Sequence, residues 1–190
     1  GIRDIDYFNS IKDKFVELKV NHIVDMLAQN KIVGMCRGNI EMGPRALGHR
    51  TILASPYDKE MHNELNSIKG REWYRPYGII IPREYLSEYF DIDIDASYMN
   101  ILGYCKYDNL LNGAQHKDGT VRIQTVDKKD DPWLHNLLLS FKNKTGHPIL
   151  INTSFNDSGL PVFNYMKDMY RMYKEKLDAL IYENYMVVKS

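Results

Sequence analysis

Cysteine is scarce in this chain: Cys36 and Cys105 are the only two, and they form no CxxC pair. Neither a disulfide framework nor a thiolate zinc site is written in the sequence. The six histidines are scattered, with no His-x-x-x-His or His-Glu-x-x-His spacing, so a metal centre has no ligand set. No apolar run is long enough to span a bilayer and nothing resembles a signal peptide, so a membrane partner is not expected and a reducing cytoplasm is the expected address. Two Asn-x-Ser/Thr triplets, at Asn143 and Asn152, then read as chance matches. Charge of one sign is also lacking: 25 basic and 25 acidic residues cancel. No global field draws in nucleic acid or an anionic surface, so cations must act as a local cluster. Internal repeats and low-complexity linkers are absent.

What remains is an ordinary globular composition, 44% apolar and 26% charged over 190 residues, enough to bury one substantial core. The chain starts Gly-Ile-Arg-Asp without an initiator methionine, which reads as an excised part of a longer polypeptide. Apolar spacing predicts a helix over 8–29 and a buried strand over 31–36, with Cys36 as packing rather than nucleophile. A strand at 51–54 follows a Gly/Pro-bounded connection. Asp58 suits the cap of a helix over 59–69, and Gly70 its left-handed end. Strands are expected at 78–82, 98–106 and 120–126. A helix over 131–145, a strand over 147–152, a helix over 166–180 and a strand over 182–188 complete the chain. Strands and helices mix without strict alternation. The expected fold is α/β, a mixed twisted sheet with flanking helices.

Four segments carry candidate chemistry. Gly38 and Gly43 have the separation of a P-loop, but Pro44 and Arg45 stand where Lys and Ser/Thr are needed. A Walker A loop is therefore rejected. What is left is a glycine-rich turn holding Arg45 and Arg50. Lys69, Arg71 and Arg75 fall within seven residues around a helix end. They read equally as cations favouring the helix macrodipole or as a phosphate site. Trp73 and Tyr74 between them suggest a partly buried setting. In a strand, Thr120, Arg122 and Gln124 share one face, either an exposed sheet face or a ligand platform. His116 and Asp118, just before it, are suited to orienting a polar group. Asn152-Thr-Ser154-Phe-Asn156 follows an apolar strand, where α/β sheets place ligand groups, although a simple polar turn explains it as well.

Taken together, these segments resemble one family. The series is Gly43-Pro-Arg-Ala-Leu-Gly-x-Arg-Thr51, Asn66-x-x-Lys69-x-Arg71-Glu72-x-x-Arg75-Pro76, His116-x-Asp118-Gly-Thr-x-Arg122-x-Gln124 and Asn152-Thr-Ser-Phe-Asn156. In order and spacing it is similar to the C-terminal domain of the nodulation-type O-carbamoyltransferases, across about residues 40–190. That domain is similar in fold to threonylcarbamoyl-adenylate synthases, whose Lys-x-Arg and Ser-x-Asn pairs match Lys69/Arg71 and Ser154/Asn156.

The resemblance implies a single domain over 1–190 from a two-domain enzyme. It would bind carbamoyl phosphate and ATP, with Mg²⁺ arriving on the nucleotide, and form carbamoyl-adenylate. A separate N-terminal acceptor-binding domain would then pass the carbamoyl group to a hydroxyl of a sugar or natural product. The resemblance places Lys69, Arg75 and Arg122 in catalysis. Arg45, Lys69, Arg71, Arg75, His116, Asp118, Arg122, Asn152, Ser154 and Asn156 are its ligand-binding residues. Two polyanionic substrates repel each other, so a shared site needs several cations. The alternative is an RNA-binding or tRNA-modification-related module of similar fold, against which the neutral net charge argues.

Overall fold

The computed structural model describes residues 4–39, 41 and 45–189. Gly43 and Pro44 of the first motif, and the Gly1–Arg3 start, lie outside the described residues. Described helices are α1 (Ile5–Ile11), α2 (Val20–Ala28), α3 (Glu60–Lys69), α4 (Leu86–Tyr89), α5 (Pro132–Thr145) and α6 (Met166–Lys176). Strands are β1 (Val16–Glu17), β2 (Val33–Cys36), β3 (Arg50–Ala54), β4 (Gly78–Pro82) and β5 (Ile101–Tyr104), then β6 (Thr120–Val126), β7 (Leu150–Ser154), β8 (Ala179–Tyr182) and β9 (Tyr185–Val188). They form one sheet in the order β1-β9-β8-β2-β3-β7-β4-β6-β5. The β2/β8 and β4/β6 pairs are parallel and the remaining neighbours antiparallel. The expected mixed α/β sheet is therefore the architecture found.

Strand alternation sorts the core into two layers. Ile52, Ile79, Ile81, Ile123 and Ile151 point to one face, where α1, α3, α4 and α6 cover them. Leu53, Ile80, Val126 and Leu150 point to the other, beneath α2 and α5. On this second face the apolar row stops short. Towards the start of β6, Gln124 and Arg122 replace Val126, and on β7 Asn152 follows Leu150. The sheet face becomes polar where helix α5 no longer covers it.

Local signals explain several boundaries. Asp58 Oδ1 accepts the Glu60 N–H at 2.9 Å, and Gly70 ends α3 at φ 59°. Asp131 Oδ1 accepts the Leu134 N–H at 2.9 Å, with Pro132 in the first turn of α5.

Two expected helices differ. The segment 8–29 is broken by a 3-10 turn (Lys12–Lys14) and by β1, whose Val16 pairs with Met186 of β9. The helix expected over 166–180 ends at Lys176, and the strand expected over 182–188 is the far arm of a hairpin formed by β8 and β9. Glu183 makes that turn at φ 50°, without the glycine that would have announced it. The strand expected over 147–152 lies instead at 150–154, so Asn152 and Ser154 are strand residues.

Candidate functional site

Strands β3 and β7 are antiparallel, as are β4 and β7, while β4 and β6 are parallel. One end of the sheet therefore gathers the C-terminus of β7 and the starts of β3, β4 and β6. In register, Asn152, Gly78 and Arg122 stand side by side across three strands. Gly78 is the middle of that row and has no side chain. A Cβ there would lie 2.5 Å from Met99 Sδ, 2.9 Å from its Cε and 3.4 Å from the Asn152 carbonyl oxygen. Above this gap sits a cavity of about 70 Å³, lined by Arg45, Arg71, Arg122, Gly78, Asn152 and Ser154 among others.

The three guanidiniums come from three chain segments. Arg45 belongs to the turn before β3, Arg71 to the loop after α3 and Arg122 to β6 itself. Among the described residues, none of the three pairs with a carboxylate. Burial, then the like charges of Arg45 and Arg71, pull the Arg122 pKa below its ordinary value. Three cations held close without a counter-ion are costly unless an anion joins them. Arg71 also lies 5.6 Å from the centre of the Tyr77 ring, and burial pushes the Tyr77 phenol up to about 12.

Each wall is held from behind. Asn152, 1% exposed, donates from Nδ2 to the Ala46 carbonyl at 3.1 Å and to Gln124 Oε1 at 2.5 Å. Gln124 in turn donates to the Leu47 carbonyl at 2.8 Å. Glu41 fixes the same turn: its carboxylate accepts the N–H groups of Leu47 (2.9 Å), His49 (2.7 Å) and Arg50 (3.0 Å). Arg50, fully buried, donates to the carbonyls of Arg37 and Gly38 and is structural.

Lys69 does not open into the cavity. It is 1% exposed, and its Nζ donates to the carbonyls of Ser154 and Asn156 (2.7 Å for the latter) and to Asn156 Oδ1. The Lys-x-Arg and Ser-x-Asn pairs thus meet: the lysine ties the β7 exit while the arginine reaches the cavity. Burial, then Arg71, pulls the Lys69 ammonium down to about 7. From the other side, Asp157 is held by Arg171 at 2.6 Å and Lys176 at 3.4 Å, both on α6. These cations outweigh the effect of burial and keep the Asp157 carboxyl below its ordinary range.

Not every residue singled out from the sequence joins this cavity. Arg75 is exposed and pairs with Glu72 at 2.9 Å. His116 and Asp118 form the turn leading into β6: His116 Nδ1 lies 2.6 Å from Thr120 Oγ1, and Asp118 Oδ1 accepts the Thr120 N–H at 2.9 Å. Burial pulls the His116 pKa down, with Arg122 adding to the effect and Asp118 opposing it. Trp73 and Tyr74 are exposed rather than partly buried, so the burial inferred from these aromatics does not hold. Sequence reasoning missed Met99 and Gly78 in the cavity, Glu41 behind it and Asp157 beside it. Glu41 lies just before the first motif, between Gly38 and Gly43, and its spacing from the 47–50 amides was the available signal.

Comparison with known proteins places the chain in a family. A sequence profile described as Carbamoyltransferase C-terminus matches residues 24–189. The nodulation protein NolO of Bradyrhizobium diazoefficiens is 34% identical over 172 residues, covering 87% of this chain and 31% of that protein. A 3'-hydroxymethylcephem-O-carbamoyltransferase of Amycolatopsis lactamdurans is 35% identical over 152 residues, covering 80% and 29%. The chain spans 25% to 36% of the length of such relatives. In fold it is similar to full-length HypF in a phosphate- and nucleotide-bound form, with TM-score 0.65 and 16% identity, covering 91% of this chain and 22% of that one. It is also similar to P. abyssi Sua5 complexed with L-threonine, with TM-score 0.58 and 13% identity, covering 87% and 46%. The profile match covers most of the length, and the chain belongs to the carbamoyltransferase C-terminal family.

Proposed function

We propose that this chain is the carbamoyl-activating part of an O-carbamoyltransferase, binding ATP and carbamoyl phosphate and forming carbamoyl-adenylate. The observation that carries the reading is the convergence of Arg45, Arg71 and Arg122, unpaired with any carboxylate among the described residues, on one cavity. The Ser154 hydroxyl adds a polar partner suited to phosphate or carbamoyl oxygens, while Asn152, its two Nδ2 hydrogens engaged by Ala46 and Gln124, shapes the wall. The relatives named as O-carbamoyltransferases supply the group transferred.

Chemically, a carbamate oxygen attacks the α-phosphorus of ATP, forming an O–P bond as the α–β bridging bond breaks. The electron pair leaves with pyrophosphate. Carbamoyl-adenylate keeps a single phosphate, so releasing carbamate from carbamoyl phosphate consumes one water and frees inorganic phosphate. Negative charge moves towards the leaving pyrophosphate, where fixed guanidiniums stabilise the transition state most. Lys69 supports this by fixing Ser154 and Asn156, and Arg122 is the central phosphate contact. Among the described residues no three His, Cys, Asp or Glu side chains converge to hold a metal. In this reading magnesium arrives on the nucleotide, held by phosphate oxygens and water. Transfer to a hydroxyl would take place on an N-terminal acceptor-binding domain, in the cytoplasm.

Isothermal titration calorimetry with ATP–Mg²⁺ and then carbamoyl phosphate tests the reading. Binding of both, weakened about tenfold or more (about 1.4 kcal/mol) in Arg122→Ala, is the expected result. No binding of either ligand by the folded wild type would overturn it.

A further inference from the structure

The cavity holds about 70 Å³, room for a phosphate group but not for a whole nucleotide. Whatever carries that phosphate must extend over the rim. Trp73 lies in the chain between Arg71 and Pro76, which both line the cavity. It is 67% exposed, unusual for the largest apolar side chain. Its backbone is nonetheless held: the Trp73 carbonyl accepts from His62 Nε2 at 2.8 Å and from Asn66 Nδ2 at 3.4 Å. Asn66 is anchored by the Tyr77 hydroxyl at 2.6 Å. Tyr74 stands edge-on at 6.0 Å, and Lys117 Nζ lies 5.1 Å from the Trp73 ring centre. An exposed indole on a fixed backbone loses little freedom when a planar group stacks on it.

We propose that Trp73 is the stacking platform for the nucleobase of the nucleotide whose phosphates Arg45, Arg71 and Arg122 hold. This rests on reading the cavity as a nucleotide phosphate site. Stacking supplies affinity without reading base edges, because every base offers a π face. Lys117, over the same indole, adds a cation near the ring and the ligand.

The chain has two tryptophans. In a Trp133→Phe background, Trp73 is the sole indole reporter. ATP–Mg²⁺ is expected to quench its fluorescence saturably, whereas inorganic triphosphate with Mg²⁺, which has no base, is not. By calorimetry, Trp73→Ala is expected to lower ATP affinity roughly 5- to 150-fold, towards that of triphosphate. Triphosphate binding should stay unchanged, and Trp73→Phe should restore part of the loss. ATP binding as tightly to Trp73→Ala as to wild type would overturn the stacking role. If Arg122→Ala still weakened ATP in that case, the phosphate site would stand without it. Failure of both ATP and triphosphate to bind the wild type would remove the phosphate site and the platform together.

Discussion

Lys69 Nζ lies 2.7 Å from the Asn156 carbonyl oxygen, joining the last residue of α3 to the turn that leaves β7. Burial and Arg71 lower its ammonium to about 7, against an ordinary 10.5. Between those values the unfolded chain binds a proton at this side chain that the native chain lacks. Native stability therefore rises with pH across that window. The variant Lys69→Met has no such slope. The stability difference between wild type and variant is expected to widen from about pH 6.5 to about pH 9, measured by urea unfolding. A constant or narrowing difference would mean that the carbonyl oxygens keep the ammonium charged throughout.

Arg122 and Arg75 separate cavity cations from surface cations. Arg122 lines the cavity, whereas Arg75 is exposed and pairs with Glu72. Exposed ion pairs contribute little. Arg75→Ala is expected to weaken ATP by less than about threefold (about 0.7 kcal/mol), and Arg122→Ala by about tenfold or more. Equal losses in calorimetry would show that Arg75 swings onto the ligand.

At Gly78 the obstacle to a Cβ is the flexible end of Met99. Met99 can move, so Gly78→Ala is expected to cost only about 1 kcal/mol of stability. The displaced thioether would enter the cavity, and ligand affinity should fall far more than stability. A variant with wild-type affinity would show that Met99 moves elsewhere.

Glu41 accepts three backbone N–H groups with one carboxylate. Removing it in Glu41→Ala leaves those donors short of a charged partner, at a cost of about 2 kcal/mol. Thermal unfolding is expected to fall by roughly 4–8 °C for a domain of this size. Ligand affinity should fall too, because the same turn carries Arg45. An unchanged melting temperature would mean that water replaces the carboxylate.

Much of the fold was legible where local and global signals agree. Asp58 and Gly70 bracket α3, and the alternation of β6 fixed its limits at Thr120 and Val126. Legibility failed where a distant strand decides. Val16 is extended because Met186 pairs with it, and no neighbouring residue says so. Glu183 turns the β8–β9 hairpin in a left-handed conformation that a glutamate rarely adopts. Within the site, Arg45, Arg71 and Arg122 were legible as motif positions. The burial of Lys69 was not, since lysine is ordinarily a surface residue and only the carbonyls gathered at the β7 exit reverse that.

The pairing of β3 with β7 also has a kinetic consequence. Thr51 Oγ1 hydrogen-bonds to Asn152, 101 positions along the chain, and the turn holding Arg45 leans on the same asparagine. Closing so long a loop comes late and slowly in folding. Both strands must therefore be in place before the cavity between them can form. Nucleotide added during refolding should therefore stabilise the finished protein and slow unfolding, while leaving the early folding rate untouched.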